Sequence, residues 1–231
     1  MVFVSKKCIV AIVLTAVILA LTAGGIVAVA AHLPVVGTVV LDAGHGGIDG
    51  GVVGAQGVSE SEINLAIVKI LGAKLQMRGV RVVYTRKNAD ALHDVKRLDM
   101  QARKRIIEQA DPDLVVSIHV NQFSDPDRRG AQVFYDDTGV GELFATVMQS
   151  ALNTYINAAY SKRADYHAQS ADLYITKCVA RPSVIVECGF ISNAQDEALL
   201  LTRAYRDDIA ARIADVVCAM LGSTVTTQRV E

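Results

Sequence analysis

Val39-Val-Leu-Asp-Ala-Gly-His45-Gly-Gly-Ile-Asp-Gly-Gly51 begins as a buried strand and ends as a loop. Consecutive aliphatic residues without alternation suit a strand covered on both faces, as in a parallel sheet. The glycines that follow are too dense for a helix or a packed strand, and they let the backbone turn sharply and approach a ligand. In open α/β sheets, ligands bind beyond the carboxyl ends of the strands, which is where His45 stands. The plan recurs twice downstream. Val115-Val-Ser-Ile-His119 and Val184-Ile-Val-Glu187 are also apolar runs ending in a residue able to bind metal or move a proton. Two histidines and a glutamate delivered to one edge of one sheet are candidates for a common site.

Outward from these runs, short β-branched stretches alternate with longer helical patterns. The expected strands are Val35 to Leu41, Val80 to Thr85, Leu114 to Val120, Ala131 to Tyr135, Leu173 to Thr176 and Ser183 to Glu187. Apolar residues recurring at three and four predict helices over Glu60 to Met77, Val95 to Ala110, Gly141 to Ala158 and Asp196 to Leu221, with Gly79 placed to end the first. That alternation implies a three-layer α/β domain with a mainly parallel central sheet, over residues 35–222. The tail from Ser223 to Glu231 is expected to fray.

From Cys8 to Ala31 no residue is charged, Lys6 and Lys7 precede the run, and the next basic side chain after it is Lys69. This predicts an N-terminal segment, residues 1–34, that is a membrane anchor or a signal peptide, with the remainder outside the cytoplasm. The run exceeds the usual signal-peptide core of about 7 to 15 residues, which favours an uncleaved anchor. A formal net charge of -1 gives no clustered basic surface for nucleic acid. Cys8 lies inside the apolar run, and Cys178, Cys188 and Cys218 do not spell a disulfide framework and read as small buried residues.

Each candidate has a rival reading. The glycine loop lacks the GxxxxGK[ST] pattern of a phosphate cradle, and a histidine at its start suits a metal better. Glu60 and Glu62 open the first helix, where acidic residues commonly serve the macrodipole. A carboxylate there also points beyond the helix N-terminus, toward the loop carrying His45, so either one could be a third ligand. Cys188, beside Glu187, lacks an obvious histidine partner for a nucleophile. His32, His93 and His167 read as surface residues.

Taken together, Leu41-Asp-Ala-Gly-His-Gly-Gly47, Gly54, Gly57, Glu60-x-x-Ile-Asn-Leu65, Thr85-Arg86, Ser117-Ile-His-Val-Asn121 and Pro182-x-Val-Ile-Val-Glu-Cys-Gly-Phe-Ile-Ser-Asn193 resemble the zinc-dependent N-acetylmuramoyl-L-alanine amidases of bacterial cell walls. The resemblance runs in order from residue 36 to about residue 220. It implies a zinc-exopeptidase-like fold, one Zn²⁺ bound by His45, Glu60 and His119, and Glu187 as catalytic acid/base. Two imidazoles and a carboxylate leave a fourth tetrahedral position for water, as in catalytic zinc sites. The same ligand set also occurs in non-haem iron oxygenases, but no co-substrate site is evident. Arg86 and Asn121 adjoin motif positions and could orient ligands or substrate, or simply hold loops. The rivals in function are a zinc peptidase acting on stem peptides and a non-catalytic wall-binding module. The implied partner is peptidoglycan. With no wall-binding repeat in this sequence, the membrane segment or another protein is expected to localise or activate it. The region between Tyr135 and Asp172 is short, which predicts an open cleft, and the compact plan resembles the sporulation amidases that act on spore cortex.

Overall fold

A computed structural model describes residues 36–136, 141–162 and 165–228. Six strands, β1 (Thr38–Ala43), β2 (Arg81–Tyr84), β3 (Leu114–Asn121), β4 (Gln132–Tyr135), β5 (Gln169–Ser170) and β6 (Ser183–Phe190), form one sheet in the order β2-β1-β3-β6-β4-β5. β2, β1, β3 and β6 are parallel, β4 pairs antiparallel with β6, and β5 lies parallel to β4. The helices are α1 (Glu60–Gln76), α2 (Lys96–Ala110), α3 (Glu142–Leu152), α4 (Ala194–Leu201) and α5 (Arg203–Gln228). The mainly parallel sheet expected from the sequence is present, with a reversed pair at one edge.

Alternation along the strands sorts side chains to two faces. Leu41, Val116, Ile118, Val184 and Val186 pack in one large core with residues of α1, α3 and α5. Burial of each such side chain contributes about 1.5–3 kcal/mol, so this face sets the register of the strands. The opposite face carries a smaller cluster, in which Val40, Val115 and Ile185 meet Ile107 of α2 together with Ile175 and Cys178. The candidate site residues His119 and Glu187 lie on this second face, paired across the carboxyl ends of β3 and β6.

Local chemistry explains the helix ends. Ser59 precedes α1 in an extended conformation, and its N–H and hydroxyl both donate to the Glu62 carboxylate at 3.0 Å. Gly79, at φ +79°, turns the chain after α1 and donates its N–H to Gln76 O at 3.1 Å.

Two expectations need correction. Leu173 to Thr176 is no strand: Ile175–Lys177 forms a 3-10 turn, and the short β5 lies earlier. Leu173 and Ile175 are apolar because they pack on the second face of the sheet, and a buried turn has the same composition as a buried strand. The helix expected over Asp196 to Leu221 is two helices, broken at the extended Thr202, whose hydroxyl accepts from Tyr205 N at 3.3 Å. α5 also continues to Gln228, past the start of the expected tail. The expected membrane segment lies outside the described residues, among which no helix is long and apolar enough to cross a membrane.

α3 passes directly into a π-helix, Asn153–Ser161. Side-chain amides on this continuous rod replace a strand. Gln149 accepts from Val133 N at 2.8 Å and donates to Ala131 O at 3.2 Å, while Asn157 accepts from Ala131 N at 2.6 Å and donates to Ala131 O at 2.9 Å. Asn153 Oδ1 accepts from both amides, at 3.0 and 2.9 Å. The backbone before Phe134, which β5 does not reach, is satisfied in this way.

Candidate active site

One row of residues crosses the second face of the sheet. His119 of β3 is the register partner of Glu187 of β6, and Glu187 is the partner of Gln132 of β4. On the other side of His119 the chain beyond β1 supplies Gly44, whose N–H donates to Ile118 O at 3.0 Å. A Cβ on Gly44 would stand 2.3 to 2.7 Å from atoms of the His119 ring. The imidazole occupies the space that only glycine leaves.

His45 follows directly, in the left-handed region at φ +61°, a conformation that costs a non-glycine residue energy and persists only when its surroundings impose it. Two buried arginines impose it. Arg103 donates to Ala43 O and to His45 O, and Arg86 donates to Ala43 O, Gly44 O, Ser61 O and Asn88 O, each of the latter at 2.9 Å. Arg103 is itself fixed by Asp42 and Asp99, both at 2.7 Å. Asp42 also accepts from Thr85 and Ser117 hydroxyls at 2.6 Å. Arg86, offered by the sequence as an orienting residue, thus holds the loop. Burial and the neighbouring Arg103 lower its pKa to about 10.

Glu60, at the start of α1, brings the histidines together. Its Oε1 lies 3.0 Å from His119 Nδ1 and 3.3 Å from His45 Nε2, and the three residues each offer a ligand atom within 4.8 Å of the others. Val120 N at 3.2 Å and Asn64 Nδ2 at 3.4 Å donate to the same oxygen, and Val52 N donates to Oε2 at 3.2 Å. Burial pushes the Glu60 carboxyl up, but the two histidines outweigh it and hold the pKa well below the usual range. Glu62, the other first-turn candidate, is exposed and committed to Ser59.

These donors fit a zinc ion. Ligands about 2.0–2.1 Å from zinc in a tetrahedron stand roughly 3.3–3.4 Å apart, and the spacings around Glu60 Oε1 are close to that. His45 Nδ1 meets Asp49 Oδ1 at 3.0 Å, the carboxylate–histidine arrangement that fixes a metal ligand's tautomer and leaves Nε2 free.

Glu187 is not in this cluster but stands beside it. Burial pushes its carboxyl up to about 7, with His119 pulling down, Glu60 pushing up and His45 pulling down less. A carboxyl near 7 suits proton transfer at neutral pH. Its Oε2 is buried without a hydrogen-bond partner. Cys188 points to the opposite face into the large core, where burial raises its thiol far above the usual value, so it is no nucleophile. Asn121 is half-buried, and its carbonyl accepts from Ile191 N at 2.9 Å. His93 and His167 are exposed, whereas His32 lies outside the described residues. Beside the cluster opens a cleft of about 200 Å³ whose apolar wall includes Met100, Leu173, Ile175 and Ile185.

Sequence reasoning gave no role to Asp49, Asn64, Arg103 or Gln132. Asp49 had a local signal, since a carboxylate four residues after a candidate histidine can reach its ring. The other three are brought in only by tertiary packing.

A family model described as N-acetylmuramoyl-L-alanine amidase matches residues 39–219. Over 186 residues the sequence is 34% identical to the N-acetylmuramoyl-L-alanine amidase LytC of Bacillus subtilis, covering 79% of this chain and 35% of LytC. The chain thus spans about a third of that relative. The germination-specific N-acetylmuramoyl-L-alanine amidase of the same organism is 30% identical over 191 residues, 78% of each chain. Among solved structures, the CwlD amidase from Clostridioides difficile, in complex with the GerS lipoprotein, superposes with a TM-score of 0.74 at 32% identity, covering 81% of this chain and 99% of that one.

Proposed function

The chain belongs to the N-acetylmuramoyl-L-alanine amidase family, and on that premise we propose that it cuts the amide between the lactyl group of N-acetylmuramic acid and L-alanine in peptidoglycan, with zinc held by His45, Glu60 and His119 and Glu187 as proton carrier. The observation that carries this reading is the convergence of one ligand atom each from His45, Glu60 and His119 within 4.8 Å, with Glu187 as the register partner of His119.

A bound zinc ion supplies Lewis-acid polarisation of the scissile carbonyl and lowers the pKa of water. The chain's own residues do the rest. Arg86 and Arg103 hold the His45 loop in its strained conformation, and Asp49 orients the His45 ring. Glu187 accepts a proton from the attacking water as its oxygen bonds to the carbonyl carbon. It returns that proton to the amide nitrogen as the C–N bond breaks, leaving the amine of L-alanine and a lactyl carboxylic acid, which gives its remaining proton to solvent or to the amine.

The test is a digest of purified peptidoglycan by the zinc-loaded protein, with new amino termini labelled and identified by mass spectrometry. Free N-terminal L-alanine and intact stem peptides are expected. New amines inside the stem peptide, with the lactyl amide intact, would establish the peptidase instead. No new amine at all, from a zinc-loaded protein, would leave only the wall-binding module.

We further propose that the domain works outside the cytoplasm, tethered by residues 1–34, and that a protein partner localises or activates it. The complex of CwlD with a lipoprotein supports the partner, and the germination-specific relative supports a spore-cortex substrate. A reporter fused after Glu231 should work only if it is a type active outside the cytoplasm; activity of a strictly cytoplasmic reporter would refute the topology.

A further inference from the structure

The row Gly44, His119, Glu187, Gln132 ends on a side chain that the reaction described above does not use. Gln132 is 3% exposed, and its Nε2 is buried without a hydrogen-bond partner. The residue directly opposite it on β6 is Glu187, whose Oε2 is buried and unpartnered as well. Directly opposed residues of an antiparallel pair have Cβ atoms roughly 4.5–5.5 Å apart, with side chains on the same face. The pair two residues further along the strands, Phe134 and Ile185, confirms that face, since both pack in the smaller cluster.

A buried amide donor without a partner costs free energy that an apolar side chain of the same volume does not, and such exceptions in native proteins call for an explanation. The two unpartnered groups are complementary. An ionised carboxylate only accepts, an amide NH₂ has two donors, and a hydrogen bond to a charged group is about twice as strong as a neutral one. His119 occupies the other side of Glu187. Glu187 therefore stands between a candidate metal ligand and a neutral donor.

We propose that Gln132 is the positioning residue for Glu187: the two side chains, not bonded to one another in the structure, turn together in the working site, where Nε2–H donates to the Glu187 carboxylate and fixes the oxygen that carries the proton. This rests on Glu187 being the proton carrier. The donor acts on the ionised form and so holds the carboxylate ready to accept a proton, without itself touching the substrate.

Gln132→Met keeps the volume and removes the donor. With zinc content equal to the parent, kcat should fall roughly 10- to 100-fold, the range for a hydrogen bond to a charged group, and KM should stay unchanged. The folded fraction of the metal-free variant at the assay temperature should match that of the parent, the Glu187 carboxylate losing its donor without the fold being lost. In a Glu187→Gln background the same substitution should change kcat by less than about twofold, since coupled residues are non-additive. An equal fold-loss in both backgrounds, a rise in KM at unchanged kcat, or turnover within about twofold of the parent would each overturn the proposal. So would a fall in thermal midpoint that accounts for the lost activity. Parental turnover by Glu187→Gln alone would instead sink the proton-carrier reading, and that single variant reports it independently of Gln132.

Discussion

Gly44→Ala tests the site with one methyl group. Gly44 is not in the left-handed region, so alanine is acceptable to its backbone, and the nearest obstacle is the His119 ring at 2.3 to 2.7 Å. Carbon atoms sit comfortably at about 3.5–4.0 Å, so the ring must retreat by roughly 1 Å or more. Metal–ligand distances tolerate only about 0.2 Å, and the displaced imidazole ceases to be a ligand. Substitutions that merely disturb a ligand's orientation weaken metal binding about 10- to 100-fold. Displacing the ligand itself should reach at least the upper figure. At fixed zinc in excess, a 100-fold loss removes about 2.7 kcal/mol of zinc-dependent stabilisation. The assay is chelator competition for zinc, paired with thermal denaturation with and without the ion. The metal-free variant should fold, losing no more than about 1–3 kcal/mol from crowding. Gly57→Ala is the control, since its Cβ would meet nothing within 4 Å while its φ is +79°. It should cost about 1–2 kcal/mol of backbone strain and leave zinc affinity alone. Parental zinc affinity in Gly44→Ala would show that His119 does not bind the ion as proposed.

Glu187→Gln should keep its zinc and its stability and lose about 10²- to 10⁴-fold in turnover; turnover per zinc-loaded molecule near the parental value would assign the proton transfer elsewhere. Asp49→Asn should weaken zinc about 10- to 100-fold with little change in the metal-free thermal midpoint, and equal zinc affinity by chelator competition would remove Asp49 from the site. Burial pushes the Asp42 carboxyl up, but Arg103, Ser117 and Thr85 outweigh it and hold the pKa below its usual value. A depressed folded pKa contributes stability that is present above the unfolded value and lost as pH falls through the folded one. Denaturant unfolding should therefore show stability falling below about pH 4. Arg103→Met leaves Asp42 buried and unpaired, which should cost about 3–5 kcal/mol at neutral pH and flatten that acid loss. An unchanged unfolding midpoint would mean that water had replaced the guanidinium.

What the sequence made legible was whatever depends on periodicity or on chain neighbours. The parallel strands showed as unbroken apolar runs, and His45, His119 and Glu187 stood at their carboxyl ends because sheet topology delivers such ends to one edge. Choosing Glu60 over Glu62 needed the family resemblance, since both open the same helix turn; in the structure Glu62 is turned away by Ser59. Leu173 and Ile175 misled because a cleft wall and a buried strand share the same composition. Thr202 gave no breaker signal strong enough to split the last helix. Arg103 and Gln132 were out of reach altogether: Arg103 bonds across 58 to 61 positions and Gln132 lies opposite Glu187 through a strand pairing, and no local pattern marks a helix arginine or a strand glutamine as facing inward.

The amide rod formed by Gln149, Asn153 and Asn157 bears on how the protein behaves in a crowd. An unpaired strand edge is a template on which another chain can build, and β4 would be such a template along Ala131 and Val133. Side chains, not a further strand, occupy those backbone groups, so the sheet ends on this side in the two-residue β5 alone. Asn157→Leu or Gln149→Leu would strip that cover while leaving the catalytic row in place. Such variants should lose solubility before they lose activity, seen as concentration-dependent light scattering from protein that still turns over substrate.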